Sequence, residues 1–573
     1  MEADDNSRNR FVVGIDYGTT YSGAAYLYVD PEKDPDYSKI KVVRSWPGGG
    51  GGIDNRKLEK APTEISFEDG KTRWGYEIPQ GTKRHCCFKL LLDKGASKRT
   101  YDDPNLASED DNAMRPSLPE GKTVQDITFE YLRLLYLNVM KQLREHVPDT
   151  FDSTPVHFVL TVPAIWSHAA QRATLDAAKR AQFDSRKGDK ISMVSEPEAA
   201  GAYCLNEMNS VNTLKVGERI LICDAGGGTV DLVTYAVSEI KPCLRVREAV
   251  EGSGGKCGST AIDRGFVKWL SDIVTHDMRG RPLKTGPGST MMASFEAAKR
   301  GFGTSEHNQS WTIPLGNVDD DLPNNVEDGE LRLTSERMAL FFDPVVEKIV
   351  GLAAQQIKDA NDKGGKDMVS PFPIDVVTPM DPWTAVARGA VIHGIQSLVD
   401  SRKLKEHYGV IMGSPFNPRF YDRDTAYFDP FYSCLMTNDH VEWFAAKGQE
   451  AANGQHFKIG GCSKFPDWLE KKLIIVNMVA SNLEDAPKSA KRGNVRRVGR
   501  VEADLGGVPE SAFTVQERDC ECCGGEKILH ASVSIEMSVA SADLKFEVMF
   551  EGECYGKTRI EYHHDGLSDA PTS

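Results

Sequence analysis

The sequence predicts an α/β protein with an internally duplicated core of two lobes, followed by a β-rich C-terminal domain. Three observations predict it. Strand-like and helix-like apolar patterns alternate from about residue 11 to about residue 400. Two strand-turn-strand segments of one plan, opening near Phe11 and near Arg219, stand about two hundred residues apart, as a duplication would place them. Beyond Leu398 the alternation gives way to period-two patterns and Gly/Pro punctuation. A chain of 573 residues also exceeds the roughly 250 to 300 residues at which a single hydrophobic core stops growing.

The elements follow in order. Residues 1 to 10, MEADDNSRNR, are polar and read as a disordered lead-in. FVVGID then turns at YGTT and returns as YSGAAYLYV, a hairpin rather than a strand leading into a helix. The run Gly48 to Gly52 marks a flexible loop. From Val124 to Val147, Ile127, Tyr131, Leu134, Leu135, Val139 and Leu143 recur at helical spacing, and VHFVLTV follows as a buried strand. AAQRATLDAAKRAQF predicts a helix, ISMVSEP a short strand ending at Pro197, and EAAGAYCLNEM another helix. RILICDAGGGTVDLVTYAV is the second hairpin. Near the C-terminus Val533, Ile535, Met537 and Val539 alternate with polar residues, as do Leu544, Phe546, Val548 and Phe550.

Composition narrows the function. Hydrophobic residues make up 40% and charged residues 27% of the chain, ordinary globular proportions. A net charge of -15 argues against a nucleic-acid partner, which needs a concentrated basic surface. No apolar run approaches the roughly 18 residues of a membrane span, and the N-terminus carries no signal sequence. A soluble, cytoplasmic protein is expected, with the nucleus compatible. The twelve Cys are thinly spread, as suits a reducing compartment. Cys204 and Cys223, inside apolar runs, are expected as buried thiols.

The two hairpins carry the chemistry. Asp16-Tyr17-Gly18-Thr19-Thr20 and Asp224-Ala225-Gly226-Gly227-Gly228-Thr229, with Asp231 just beyond, share one plan: an apolar strand ending in Asp, then a Gly-Thr turn, then a second strand. Glycines let backbone N–H groups converge on phosphate oxygens, and the hydroxyls add further hydrogen bonds. An Asp at each strand end suits a nucleotide-bound Mg²⁺, which takes hard oxygen ligands. Either stretch alone is a hairpin turn; the pair could grip one polyphosphate from two sides.

Read together, these segments resemble a known family. GIDYGTTYSGAAY resembles the first phosphate motif of the heat-shock protein 70 chaperones, DAGGGTVDL their second, and VSEPEAAGAYCL the segment connecting their lobes. LTVPAIW resembles the segment with the family's switch proline, here Pro163; FEAAKRGF resembles the adenosine-contacting helix; TAVARGAVIHGI resembles the helix that crosses back at the end of the ATPase domain. The resemblance covers about residues 11 to 400 and implies the duplicated actin-like (ribonuclease H-like) ATPase core. Lobe I is then about 11–198, lobe II about 199–384 and the crossing helix about 384–398, with a β-rich, partner-binding domain over 401–573 and no helical lid.

Carried over by position, the resemblance implies ATP or ADP with Mg²⁺. Gly18, Thr19, Thr20, Tyr21, Gly226, Gly227, Gly228 and Thr229 would hold the nucleotide, and Asp16 and Asp224 would organise the metal. Lys89 in FKLLLD, Glu196, Thr229 and Asp231 would act around the γ-phosphate and the attacking water. Glu296, Lys299 and Arg300, three to four residues apart on one helix face, would meet ribose and base. After the helix around Phe342 to Ala360, the family continues with an apolar strand, a Gly-Gly pair packed on the adenine, and a further helix. This sequence runs NDKGGKDMVSPFPIDVVTP instead. Gly364 and Gly365 read as a loop, and a strand and helix are missing.

The expected function is an ATP-driven, chaperone-like protein switch with slow hydrolysis. The alternative is a nucleotide-sensing or scaffold protein without significant ATPase activity. Partners expected from the resemblance are unfolded or extended protein segments, bound at exposed strand edges, and a co-chaperone or exchange factor. Other signals are discounted. EGSGGKCGST lacks the Gly five positions before Gly255 that a Walker A loop needs. Cys520, Cys522, Cys523 and Cys554 lack paired CxxC spacing, and Lys488 to Arg500 reads as a solvated basic loop. His563 and His564 have no ligand-like companions.

Overall fold

A computed structural model describes residues 8–49, 58–93, 100–107, 116–210, 213–241, 243–274, 276–304, 309–363, 374–429, 432–493, 495–518, 526–539 and 544–557. Two compact units result: one of residues up to Arg245 with Gly252–Leu398, the other of Val246–Glu251 with Val399 onward. The α/β class and the β-rich C-terminal region stand as the sequence predicted.

In the first unit, β1 (Arg10–Tyr17) and β2 (Tyr21–Val29) form the first hairpin, with Asp16 opposite Gly23. Both β3 (Lys41–Val42) and β4 (Lys60–Pro62) pair with β2, while β5 (Ile65–Ser66) and β6 (Arg73–Trp74) make a separate pair. Parallel to β1 lies β7 (Val156–Val162), and parallel to β7 lies β8 (Lys190–Ser195). Every residue of β1 is buried, as its unbroken apolar run requires of a central strand. Around this sheet stand α1 (Val124–His146), started by a Thr123–Asp126 capping box, α2 (His168–Arg180), capped by Ser167, and α3 (Glu196–Ser210).

The second hairpin is β9 (Arg219–Ala225) with β10 (Val230–Glu239), placing Asp231 opposite Asp224. After β11 (Arg245–Gly255) come α4 (Thr260–Ile273) and α5 (Thr290–Gly301), then a small sheet of β12 (Ser310–Pro314), β13 (Val326–Glu327) and β14 (Glu330–Thr334). These enclose a core in which Phe266 and Phe295 stack at 3.9 Å with Phe341 edge-on. The long α6 (Ser335–Lys363) covers it, and α7 (Ala385–Ile395) ends the unit. Two glycines let α7 seat closely. A Cβ at Gly14 would lie 2.2 Å from the Ala387 carbonyl oxygen, and one at Gly389 would lie 1.6 Å from that of Ala199.

One edge of this unit departs from expectation. Strand β9 ends its sheet, and Cys223 on it is exposed while Cys204 is half-buried. An apolar run implies burial only where a neighbour covers it. Residues 374–384, by contrast, contain neither strand nor helix, as the sequence reading expects, and Ile374, Val376 and Val377 there are exposed. Gly364 and Gly365 lie outside the described residues, as do residues 1–7, Gly50 to Gly52, Cys520, Cys522, Cys523, His563 and His564.

The second unit contains β15 (Val399–Lys403), β16 (His407–Pro415), β17 (Ala426–Asp429), β18 (Cys434–Ala445), β19 (Glu450–Ala452), β20 (His456–Pro466), β21 (Leu473–Ser481), β22 (Arg496–Asp504), β23 (Thr514–Arg518), β24 (Glu526–Val539), β25 (Leu544–Phe550) and β26 (Glu553–Lys557). Val246 and Arg247 pair in parallel with β15. One sheet runs β17-β18-β16-β21-β22, and the other runs β20-β24-β25-β26 with β23 against β24. Inward residues of both, among them Val410, Met478, Val501, Phe457, Val533 and Phe546, share one core. Period-two alternation predicted β24 and β25 correctly. The basic run did not read correctly. Arg496 to Arg500 lie in β22, paired with β21, and Arg492 meets Asp422 at 2.6 Å while Lys491 pairs with Asp424. Its partner strand and acidic neighbours come from elsewhere in the chain, so local charge alone could not reveal them.

Candidate functional site

The two Gly-Thr turns abut in the first unit. A Cβ at Gly227 would lie 2.2 Å from Thr20 Oγ1, and one at Gly228 would lie 2.5 Å from Thr19 Oγ1. Side chains at these glycines would therefore collide with the opposite turn. Gly18 is similarly confined, its Cβ position 2.2 Å from the Tyr21 carbonyl oxygen. The second turn is braced from behind: the amides of Gly258, Ser259 and Thr260 donate to the carbonyls of Gly228, Gly226 and Gly227 at 3.2, 3.0 and 2.9 Å. Thr19 and Thr229 are buried.

Behind the turns lie four carboxylates, Asp16, Asp231 and Glu196 buried and Asp224 half-buried, and two lysines. Lys89 Nζ donates to Glu196 Oε1 at 2.6 Å, and its side chain is 1% exposed. That ammonium also lies 5.3 Å from the Tyr17 ring and 5.1 Å from the Trp166 ring. Asp231 accepts from the Ile165 amide at 3.0 Å, which ties β10 to the Pro163–Trp166 turn after β7. Lys60 Nζ donates to Asp16 Oδ2 at 2.6 Å. Four carboxyls thus share two ammonium partners. Burial pushes the Glu196 carboxyl up to about 8 against the pull of Lys89, and burial with Asp231 and Asp16 pushes Asp224 up to about 7.

A raised carboxyl binds its proton more tightly folded than unfolded, so its contribution to stability falls as pH rises from the unfolded value near 4 through the folded one. The nucleotide-free protein is therefore expected to melt lower at pH 8 than at pH 5, by about 2 to 4 °C. Asp224→Asn should flatten that slope in a thermal unfolding series, and an unchanged slope would contradict it.

Of the three α5 residues, Lys299 turns away to Asp263 on α4, at 2.8 Å, and to Glu296, at 2.7 Å. It fastens α5 to α4. Arg300 pairs with Glu296 at 2.8 Å and sets its guanidinium 4.9 Å over the Tyr21 ring and 5.0 Å over the Trp383 ring. Trp383, just before α7, and Lys60 are two site residues that sequence reading missed. TAVARGAVIHGI stood out one residue after Trp383, which offered a signal; nothing marked Lys60, whose place is set by the pairing of β4 with β2.

Among the described residues no three Asp, Glu, His or Cys side chains converge as a metal cage. The donor set still fits a Mg²⁺, which takes hard oxygen ligands, and Asp16 and Asp224 would be the residues to hold it. A polyphosphate suits the glycine turns and the lysines.

Residues 129–366 match the family model described as Hsp70 protein, and residues 405–565 match one described as a domain of unknown function. The chain is 25% identical over 605 aligned residues to heat shock 70 kDa protein 12B of Homo sapiens, covering 86% of this chain and 84% of that protein. Heat shock 70 kDa protein 12A of Mus musculus is 23% identical, with 87% and 85% covered. A chaperone protein HscA homolog of Acinetobacter baumannii (strain AYE) is 26% identical over 280 residues, 47% of this chain and 39% of that protein.

Proposed function

Because the chain belongs, as an atypical member, to the heat-shock protein 70 superfamily, we propose that it is an ATP-binding, chaperone-like protein switch with slow hydrolysis. The observation that carries the reading is the abutment of two Gly-Thr turns over a buried cluster of carboxylates and lysines. Gly18, Thr19, Thr20 and Gly226 to Thr229 hold the phosphates through backbone N–H groups and hydroxyls. Asp16 and Asp224 would hold a Mg²⁺, which when bound would neutralise phosphate charge. Lys89, held by Glu196, aligns the attacking water and offsets charge growing on the transferred group. Asp231 links this cluster to the Pro163 turn, and Tyr21, Glu296 and Arg300 flank the nucleoside, with Lys299 fixing their helix.

In this reading the C-terminal sandwich binds extended protein segments at an exposed edge such as β17, where Tyr427 and Phe428 face solvent. A co-chaperone or exchange factor resets the nucleotide state. The cytoplasm suits a protein whose described cysteines are all free thiols, and among the described residues no helix is long and apolar enough to cross a membrane.

Titration calorimetry with Mg-ATP tests the reading. Saturable binding is expected, and its loss in Gly227→Val, whose side chain would collide with Thr20 of the opposite turn; a folded parent chain that takes up no nucleotide would sink it. The unstructured residues 374–384 favour the second reading, a nucleotide sensor or scaffold without significant turnover, which binding without phosphate release would support.

A further inference from the structure

Lys60 is the one lysine of the cluster that neither the motifs nor the proposed hydrolysis uses. It opens β4, its side chain is 12% exposed, and its ammonium sits on Asp16 at 2.6 Å. Sheet register fixes it there: Lys60 pairs with Gly23 of β2, and a Cβ on Gly23 would lie 2.9 Å from Lys60 Cγ, so the glycine gives the stem its path. The ammonium also lies 4.6 Å from the Trp383 ring centroid. Asp16 is one of the two carboxylates placed to serve a Mg²⁺. It already holds a cation.

We propose that Lys60 is a resident cation of the phosphate site, letting this chain bind a nucleoside di- or triphosphate without a divalent metal. The inference rests on the reading that a polyphosphate lies between the two turns. An ammonium has three donors. One bonds Asp16, and the others can bridge to a phosphate oxygen, the bridging that a divalent ion ordinarily supplies. A metal entering the site competes with Lys60 for Asp16 and so adds little affinity.

The test is calorimetric titration of ADP into the full chain, once with MgCl₂ and once with EDTA. The parent affinity is expected to differ by less than about tenfold between the two. Lys60→Met should lose about 30-fold or more in EDTA and far less with Mg²⁺, while Lys60→Arg retains binding in both. Asp16→Asn, which removes the competing carboxylate, should bind in EDTA at least as tightly as the parent. A parent loss of more than about 100-fold in EDTA, or an EDTA affinity unaltered by Lys60→Met, overturns the proposal and leaves the nucleotide site standing. No binding by the parent in either buffer overturns both. Should Lys60→Met fail to fold in a thermal melt, weakened EDTA binding by Asp16→Asn overturns it instead.

Discussion

Gly389→Val is expected to cost at least about 3 kcal/mol, through overpacking that the surroundings cannot relieve. The obstacle is backbone. The Cβ position at Gly389 lies 1.6 Å from the Ala199 carbonyl oxygen and 3.2 Å from the Tyr203 amide nitrogen, both in α3. A side chain can rotate out of the way; a helix carbonyl cannot, so α7 must lift. Lifting it exposes Val386, Ala390, Val391 and Ile392, which are buried now, and unseats Gly14 of β1 from Ala387. Thermal unfolding followed by circular dichroism should show the melting point falling well below the parent's. Gly286→Ala is the control, since nothing lies within 4 Å of its Cβ position. Equal melting points for the two variants would refute the packing account.

Lys89→Met should lower ATP turnover by about 100-fold or more, the effect of deleting one preorganised charge beside a transferred phosphoryl group. Its effect on stability should be smaller than a buried ion pair suggests. Removing one member of such a pair strands the other charge and ordinarily costs about 3 to 5 kcal/mol. Glu196 can avoid that by holding a proton, because burial already raises its carboxyl to about 8. The variant is therefore expected to match the parent's stability near pH 6 and fall below it above pH 8, as the proton is lost from a carboxylate with no ammonium beside it. Adding Glu196→Gln should remove the difference between variant and parent above pH 8, leaving the slope that Asp224 carries. Single-turnover phosphate release and melting curves at the two pH values check both halves.

Local chemistry made much of this fold legible. Each hairpin announces itself within about twenty residues, because an apolar strand, a Gly-Thr turn and a returning strand are adjacent in sequence. Asp16, Asp224, Asp231, Glu196 and Lys89 could be named in advance, and all but the half-buried Asp224 are buried. Features set by distant pairing were hidden. Lys60 reaches Asp16 only because β4 pairs with β2, and Arg496 to Arg500 form a strand only because β21 lies beside them. Cys223 misled for the converse reason: its apolar run implies a cover that the edge of β9 lacks. Lys299 belongs to a charged face whose sequence spacing could not show that Asp263 would claim it.

The bracing of the second turn by α4 limits what kind of anion site this can be. Helix N-termini commonly hold phosphates because their leading amides have no partner. Here those amides are already satisfied by the carbonyls of Gly226, Gly227 and Gly228, so the dipole of α4 stiffens a loop instead of gripping a ligand. Beyond the amides and hydroxyls of the two turns, attraction for a polyphosphate comes from the monovalent side-chain charge of Lys60 and Lys89. Such attraction is screened by added salt, and affinity for nucleotide should track ionic strength more steeply than in a protein that seats phosphate on a bare helix end.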